Sequence, residues 1–285
     1  MTSLRNILES GSVRPKKSLG QNFLADPVYL RKIAEAADLS RNDLVLEIGP
    51  GTGNLTERLL EHAGHVFAVE LDRRMVEHLQ KRFADAESLT VVQADILTVD
   101  LPELLSPWLH RFAAYKVVAN LPYYLTSAIL RMLLESPARP LLAALTVQWE
   151  VAQRICARPG DMSLLAVAVQ WYAVPSIVTR IPAGAFVPVP KVDSAVLRLE
   201  MRSQPVAAIP NEAALFRVVR AGFSQRRKQL RNSLSAGLRL QPHQTESVLR
   251  GAGIDPKRRA ETLSLEEWAA LARTFAGDIP VTPLK

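Results

Sequence analysis

Asn120-Leu121-Pro122-Tyr123 closes an apolar run, Lys116-Val117-Val118-Ala119, that has the make-up of a buried strand. The four residues suit an aromatic amine as substrate. Such a nitrogen is a poor nucleophile, because its lone pair is delocalised into the ring. The Asn120 side-chain oxygen and the Pro122 backbone carbonyl could accept its two N–H groups and leave the lone pair aimed at an electrophile. Proline fixes φ and stiffens the corner. Tyr123 could stack on the base, worth about 1–3 kcal/mol. Tyr124 follows it, and the sequence leaves open which of the two rings stacks. No strong base is required, since the product cation loses its proton to water; the work is positioning and electrostatics. The plainer reading of the same residues is a strand-to-loop turn with exposed tyrosines.

An electrophile needs its own site, and three earlier strand ends supply one. Leu44-Val45-Leu46-Glu47-Ile48 runs into Gly49-Pro50-Gly51-Thr52-Gly53, a turn where glycine lets the backbone approach a ligand and adopt positive φ. Its G-x-G-x-G spacing differs from the G-x-G-x-x-G dinucleotide fingerprint, and a glycine turn alone is a weak signal. His65-Val66-Phe67-Ala68-Val69 then ends at Glu70, a carboxylate placed to accept both hydroxyls of a ribose. Leu89-Thr90-Val91-Val92-Gln93-Ala94 ends at Asp95, which could accept from the exocyclic amine of adenine. S-adenosylmethionine satisfies all three positions: the Gly49 and Gly51 turn, Glu70 and Asp95. Its methyl would face Asn120. A nicotinamide cofactor would prefer the other glycine spacing.

These residues demand a particular scaffold. Polar or glycine residues at the carboxyl ends of adjacent parallel strands converge on one crevice of an open α/β sheet. Helices are expected from Pro27 to about Ala37, with Asp26 as N-cap, from Asn54 to His62, from Asp72 to Ala84, and from Thr126 to about Glu135. Leu142 to Gln148 reads as a fifth strand and Glu150 to Ala157 as a helix. Leu164 to Tyr172 and Ala195 to Glu200 read as β-rich runs forming an antiparallel pair at one edge, joined through the proline-restricted Phe186–Ser194 loop. Beyond Gln204 the periodicity predicts helices over 211–223, 224–237, 242–251 and 264–276. The expected organisation is a basic segment over 1–17, a Rossmann-like α/β domain over 18–204, and a small all-helical domain over 205–285.

Composition narrows the classes further. The 285 residues are 48% hydrophobic and 22% charged, with no long apolar span and a single cysteine, Cys156. A reducing, cytoplasmic setting is expected, with no membrane role. The five histidines have no metal-ligand spacing, so no metal site is expected. The net charge of +7 is unevenly spread. Residues 1–17 carry +3 and 205–285 carry +6, leaving −2 between them. Two basic ends around a near-neutral body suggest grips for a polyanion, with Arg226, Arg227, Lys228 and Arg231 on one expected helix.

The chain resembles the KsgA-type small-subunit rRNA adenine N6-dimethyltransferases over nearly its whole length. The matching stretches are Lys17–Leu24, Leu46–Gly53, Asn120–Tyr123, Phe186–Ser194 and Gln225–Asn232. The resemblance implies S-adenosylmethionine as donor and four methyl transfers, two to each of two adjacent adenosines in a hairpin loop near the 3′ end of 16S rRNA. It implies Asn22, Leu24, Gly49, Glu70, Asp95 and Asn120 as cofactor contacts, and Phe186 as a second aromatic wall of the base pocket. The partner would be the immature small subunit, bound by a monomer. Trp149 stands where a lysine is common, and Met162-Ser163-Leu164 replaces a usual Tyr-Gly pair. Two other readings share the scaffold: a resistance-type methyltransferase of one adenine in 23S rRNA, and a non-catalytic ribosome-assembly or transcription factor.

Overall fold

The computed structural model describes residues 20–278, so the basic segment 1–17 lies outside the described residues. Nine strands are formed among the described residues: β1 (Phe23–Leu24), β2 (Leu44–Ile48), β3 (His65–Glu70), β4 (Leu89–Gln93), β5 (Tyr115–Asn120), β6 (Leu142–Gln148), β7 (Ala173–Ile181), β8 (Phe186–Val187) and β9 (Ser194–Met201). Seven of them make the central sheet, in the order β4-β3-β2-β5-β6-β9-β7. Strands β2 to β6 are mutually parallel, and β9 runs antiparallel to β6. A separate two-stranded ribbon joins β1 to β8.

Strands β2 and β3 are buried at every position, as expected where helices cover both faces of a parallel sheet. The helix Pro27–Ala36 starts as its sequence predicts: Asp26 accepts from the Val28 amide at 2.8 Å, with proline in the first turn. It buries Leu30, Ile33 and Ala34 in a cluster with Val45, Val118, Val196 and Phe186. The helix Asn54–His62 begins at Gly53, whose φ is +81°. A Cβ there would lie 2.6 Å from the Phe83 ring, so both the backbone and the packing require glycine.

Several expectations are corrected. Leu164–Tyr172 is a helix, not a strand, capped by the Ser163 hydroxyl, which accepts from the Ala166 amide at 3.1 Å. The alternating Ala-Val-Ala-Val sequence mimics a strand, but Tyr172 donates to Glu212 at 2.7 Å and stacks near Phe216, fixing the segment against another helix. The strand beside β9 is β7 instead. Arg226, Arg227 and Lys228 do not lie on a helix. They occupy an exposed turn between the helices Glu212–Phe223 and Leu230–Leu238, because the Ser224 hydroxyl bonds back to the Ala221 carbonyl and the chain turns at Gln225. The helix Leu101–Leu109 and the β1–β8 ribbon have no counterpart among the expected elements.

The chain divides into two compact units, and the boundary differs from an uninterrupted 18–204 domain. The sheet unit runs through Ala152 and resumes over Val174–Met201, while Gln153–Ala173 groups with the helical unit that restarts at Arg202. Within the helical unit, the Gly160 and Met162 amides both donate to the Glu261 carbonyl, and the Arg202 amide to the Tyr172 carbonyl. The excursion is invisible in the sequence because its helix Leu164–Tyr172 has the same apolar character as the sheet strands. Among the described residues, no helix is long and apolar enough to cross a membrane.

Candidate active site

Four strand ends do converge. Gly49, Gly51, Glu70, Asp95, Asn120, Pro122, Tyr123 and Phe186 line one cleft, together with Asn22. Its empty volume is about 840 Å³ including the open mouth, within the roughly 300–1,000 Å³ of small-molecule sites.

The glycine turn is shaped by β2 and held by Glu70. The Gly49 amide donates to the Val69 carbonyl at 2.9 Å, and the Gly51 amide to Glu70 Oε2 at 3.0 Å. Glu70 Oε1 accepts from the Asp72 amide at 2.8 Å. The Glu70 carboxyl is buried, and that burial raises its pKa against the lowering effect of the backbone amides of Asp72, Gly51 and Leu71. Gly49 has φ of +67°, and a Cβ added there would meet nothing within 4 Å. That open side is a cradle that any other residue would fill. Gly51 answers a different demand: a Cβ would come within 2.8 Å of the Phe23 ring. The β1–β8 ribbon thus presses Phe23 onto the turn.

Below the turn sits Glu47, 1% exposed on β2. Its Oε2 accepts from the Thr56 hydroxyl at 2.7 Å, and its Oε1 has no partner among the described residues. Burial, opposed by the Thr56 bond and reinforced by the charge of Glu70, pushes its pKa up to about 8. Asp95 is exposed at the end of β4, where its Oδ1 accepts from the Leu97 amide at 3.0 Å. Ile96 beside it adds an apolar wall.

At the corner, Asn120 Nδ2 donates to the Asn22 carbonyl at 3.0 Å, while among the described residues no donor reaches its Oδ1. The amide is therefore oriented with an acceptor to spare. The Pro122 carbonyl accepts from the Leu125 amide at 3.0 Å, closing the 3-10 turn Tyr123–Leu125; one lone pair remains, so it is a weaker acceptor than its position alone suggests. The Tyr123 hydroxyl bonds Ser194 Oγ at 2.7 Å, and burial raises its pKa. Phe186 is 1% exposed and contributes to both the cleft and the core.

Leu24 is the exception. Its side chain packs into the core with Leu30 and Ile33 and does not line the cleft. Successive strand residues face opposite ways, so Phe23 meets the glycine turn and Leu24 turns inward. Phe23, Gln21, Leu71 and Ile96 are cleft residues that the sequence reading missed; the apolar residues that follow Asn22, Glu70 and Asp95 were the available signal for three of them. The residues Arg226, Arg227, Lys228 and Arg231 belong to the helical unit. Arg231 pairs with Glu246 at 3.2 Å, whereas the other three side chains are exposed. Trp149 lies under the Arg180 guanidinium, 5.0 Å from the ring centre, and Arg180 pairs with Asp193 of the Phe186–Ser194 loop at 2.7 Å. Among the described residues, no three His, Cys, Asp or Glu side chains group to hold a metal.

This sheet, with its cleft at the carboxyl ends of the strands, defines a Rossmann-like methyltransferase. The profile of the ribosomal RNA adenine dimethylase family matches residues 13–276, and the chain belongs to that family of rRNA-modifying enzymes. It is 46% identical over 279 residues to the ribosomal RNA small subunit methyltransferase A of Moorella thermoacetica, covering 96% of each chain. It is 44% identical over 278 residues to the protein of the same name from Dehalococcoides mccartyi strain CBDB1, covering 98% of this chain and 94% of the other. Among solved structures, a dimethyladenosine transferase from Plasmodium falciparum superposes with a TM-score of 0.75 at 26% identity, over 87% of this chain and 95% of that one. The 23S rRNA methyltransferase ErmE superposes with a TM-score of 0.69 at 31% identity, over 90% of this chain and all of that one.

Proposed function

We propose that this chain dimethylates N6 of each of two adjacent adenosines in the 3′-terminal hairpin loop of 16S rRNA, on the immature small subunit in the cytoplasm, as a monomer. The observation that carries this reading is the Asn120 amide, held by the Asn22 carbonyl so that its Oδ1 is left as an acceptor at the cleft. Relatives at 44–46% identity carry a small-subunit rRNA methyltransferase name, which favours 16S over 23S rRNA.

The residues present fit S-adenosylmethionine. Gly49 offers the open cradle, Glu70 the ribose acceptor, Asp95 and Ile96 the adenine end, and Asn22 a further polar contact, while Gly51 keeps the turn in shape through its bond to Glu70. The Leu24 side chain is not part of that set; its contribution is the strand pairing with Phe186 that holds Asn22 in place. When bound, the donor supplies an electrophilic methyl group on a sulfonium. In the first transfer Asn120 Oδ1 and the remaining lone pair of the Pro122 carbonyl accept the two N–H groups of the adenine amine and favour a pyramidal nitrogen; in the second, the single N–H that is left binds one of these two acceptors. Tyr123, tethered by Ser194, stacks on the base, and Phe186 closes the pocket behind it. The proton released from the amine passes to water. Arg226, Arg227 and Lys228 grip rRNA phosphates, with Arg231 holding the turn through Glu246.

The test is to map methylated adenosines in rRNA from cells with and without the protein, alongside transfer of labelled methyl from S-adenosylmethionine into immature small subunits. Two dimethylated 16S adenosines that vanish with the protein are expected. Naked 23S rRNA as the better acceptor would establish the single-adenine reading instead. No transfer to any rRNA would leave the non-catalytic assembly reading.

A further inference from the structure

We propose that Tyr124 is the platform on which the nucleobase next to the target adenine stacks, an inference that rests on the rRNA adenine reading above. The two adjacent tyrosines are built for different work. Tyr123 is half-buried, and its hydroxyl is tied to Ser194, itself fully buried. Its ring is held at both ends and belongs to the pocket interior. Tyr124 also lines the cleft, yet it is 59% exposed, and among the described residues nothing hydrogen-bonds its hydroxyl.

Tyr124 is nonetheless not a loosely solvated ring. It seats on Gly20, where an added Cβ would lie 3.0 Å from Cε1 and 3.1 Å from Cδ1. Gly20 has φ of +57°, and any side chain there would both strain the backbone and push the ring away. The Cδ1–Cε1 edge of the ring thus lies over the side of Gly20 that carries no Cβ, and the rest opens at the lip of the cleft. Leu71, 47% exposed, is another apolar cleft residue open to water. A single exposed apolar side chain is ordinary. An aromatic ring seated on glycine, one residue from the base-stacking Tyr123 and at the mouth of the same cleft, is a surface with a use.

A nucleobase is the partner that fits. Every base has a π-face, and stacking on an aromatic side chain is tolerant of sequence. Bringing one adenine into the cleft requires breaking its stack with its neighbour. A ring at the lip replaces that lost stack and keeps the neighbour out of the pocket. The platform therefore acts on RNA affinity and leaves the donor site alone.

The experiment compares full-length Tyr124→Ala and Tyr124→Phe variants with the unmodified chain. Donor binding is read by calorimetry, and kcat and KM by methyl transfer to immature small subunits. The neighbouring base is followed in a hairpin RNA carrying 2-aminopurine beside the target adenosine. Tyr124→Ala should raise KM for RNA about five- to a hundredfold, with donor affinity and kcat within about twofold of the original and 2-aminopurine quenching lost. Tyr124→Phe should retain KM and quenching, because the π-face is kept. Unchanged KM and quenching in Tyr124→Ala overturns the inference, as does a loss of donor binding, which would make the ring structural. If Asn120→Ala abolishes transfer while Tyr124→Ala changes nothing, the platform fails and the functional reading survives. An unmodified chain that methylates no small-subunit RNA ends both.

Discussion

Asn120 Nδ2 and the Asn22 carbonyl meet at 3.0 Å across 98 residues of chain. The bond joins the end of β5 to the segment leading into β1, and it decides which way the Asn120 amide points. Replacing Asn120 by Ala removes the acceptor and its tether together. Methyl transfer should fall by about a hundredfold or more, by analogy with loss of one preorganised hydrogen-bonding group in an active site. Donor binding should weaken far less, because Gly49, Glu70 and Asp95 remain. Single-turnover assays with calorimetric donor binding separate the two effects.

Glu70 holds the glycine turn through the Gly51 amide and also accepts from the Asp72 amide. Glu70→Ala leaves both donors without that acceptor in a buried place, at a cost of about 1–3 kcal/mol for each. It should lower the urea midpoint and abolish measurable donor binding. Glu70→Gln keeps one acceptor oxygen, so it should be intermediate in both measurements.

Glu47 makes stability fall as pH rises. Its carboxyl holds its proton in the fold up to about pH 8, whereas the unfolded chain releases it near 4.5. Between those values the folded state binds more protons, so the contribution present below 4.5 is lost as pH climbs through about 8. The slope attributable to this group is on the order of 1 kcal/mol per pH unit. Glu47→Gln should flatten urea-unfolding stability as pH is raised from near neutral to about 8; an unaltered slope would refute the assignment. His65 works in the opposite direction: burial lowers its pKa, so its contribution is present above about 6.5 and is lost on acidification.

Arg226, Arg227 and Lys228 stand exposed in a turn, and among the described residues they form no ion pair. Neutralising all three should weaken subunit binding and reduce its salt dependence, by roughly one unit of log–log slope for each phosphate that is no longer neutralised. Donor affinity should be unchanged. Equal weakening of both would indicate a folding defect.

Gly53→Ala would force φ of +81° on a residue with a Cβ, 2.6 Å from the Phe83 ring. Strain and overpacking each cost about 1–3 kcal/mol. Thermal unfolding should shift down by several degrees, with a matching drop in donor affinity because the helix Asn54–His62 starts there.

Much of this was legible in the residues alone. The run Leu44–Ile48 before three glycines, Glu70 closing the next strand, and Asp95 and Asn120 closing two more pointed to the parallel sheet and the cleft, because strand periodicity and strand-end chemistry are local properties. What lies far apart in sequence was not legible. The Asn22–Asn120 bond, the β1–β8 ribbon that aims Phe23 at Gly51 and Leu24 at the core, and the Tyr123–Ser194 tether all join segments whose pairing no local pattern encodes. The same holds for Leu164–Tyr172, where an alternating sequence allowed either secondary structure and a Ser163 cap with a Tyr172–Glu212 bond selected the helix. The sequence by itself determined the fold class and the strand ends that form the cleft. Only the tertiary structure decided how each side chain in that cleft is oriented, because orientation is set by long-range hydrogen bonds and packing that exist only once the chain has closed on itself.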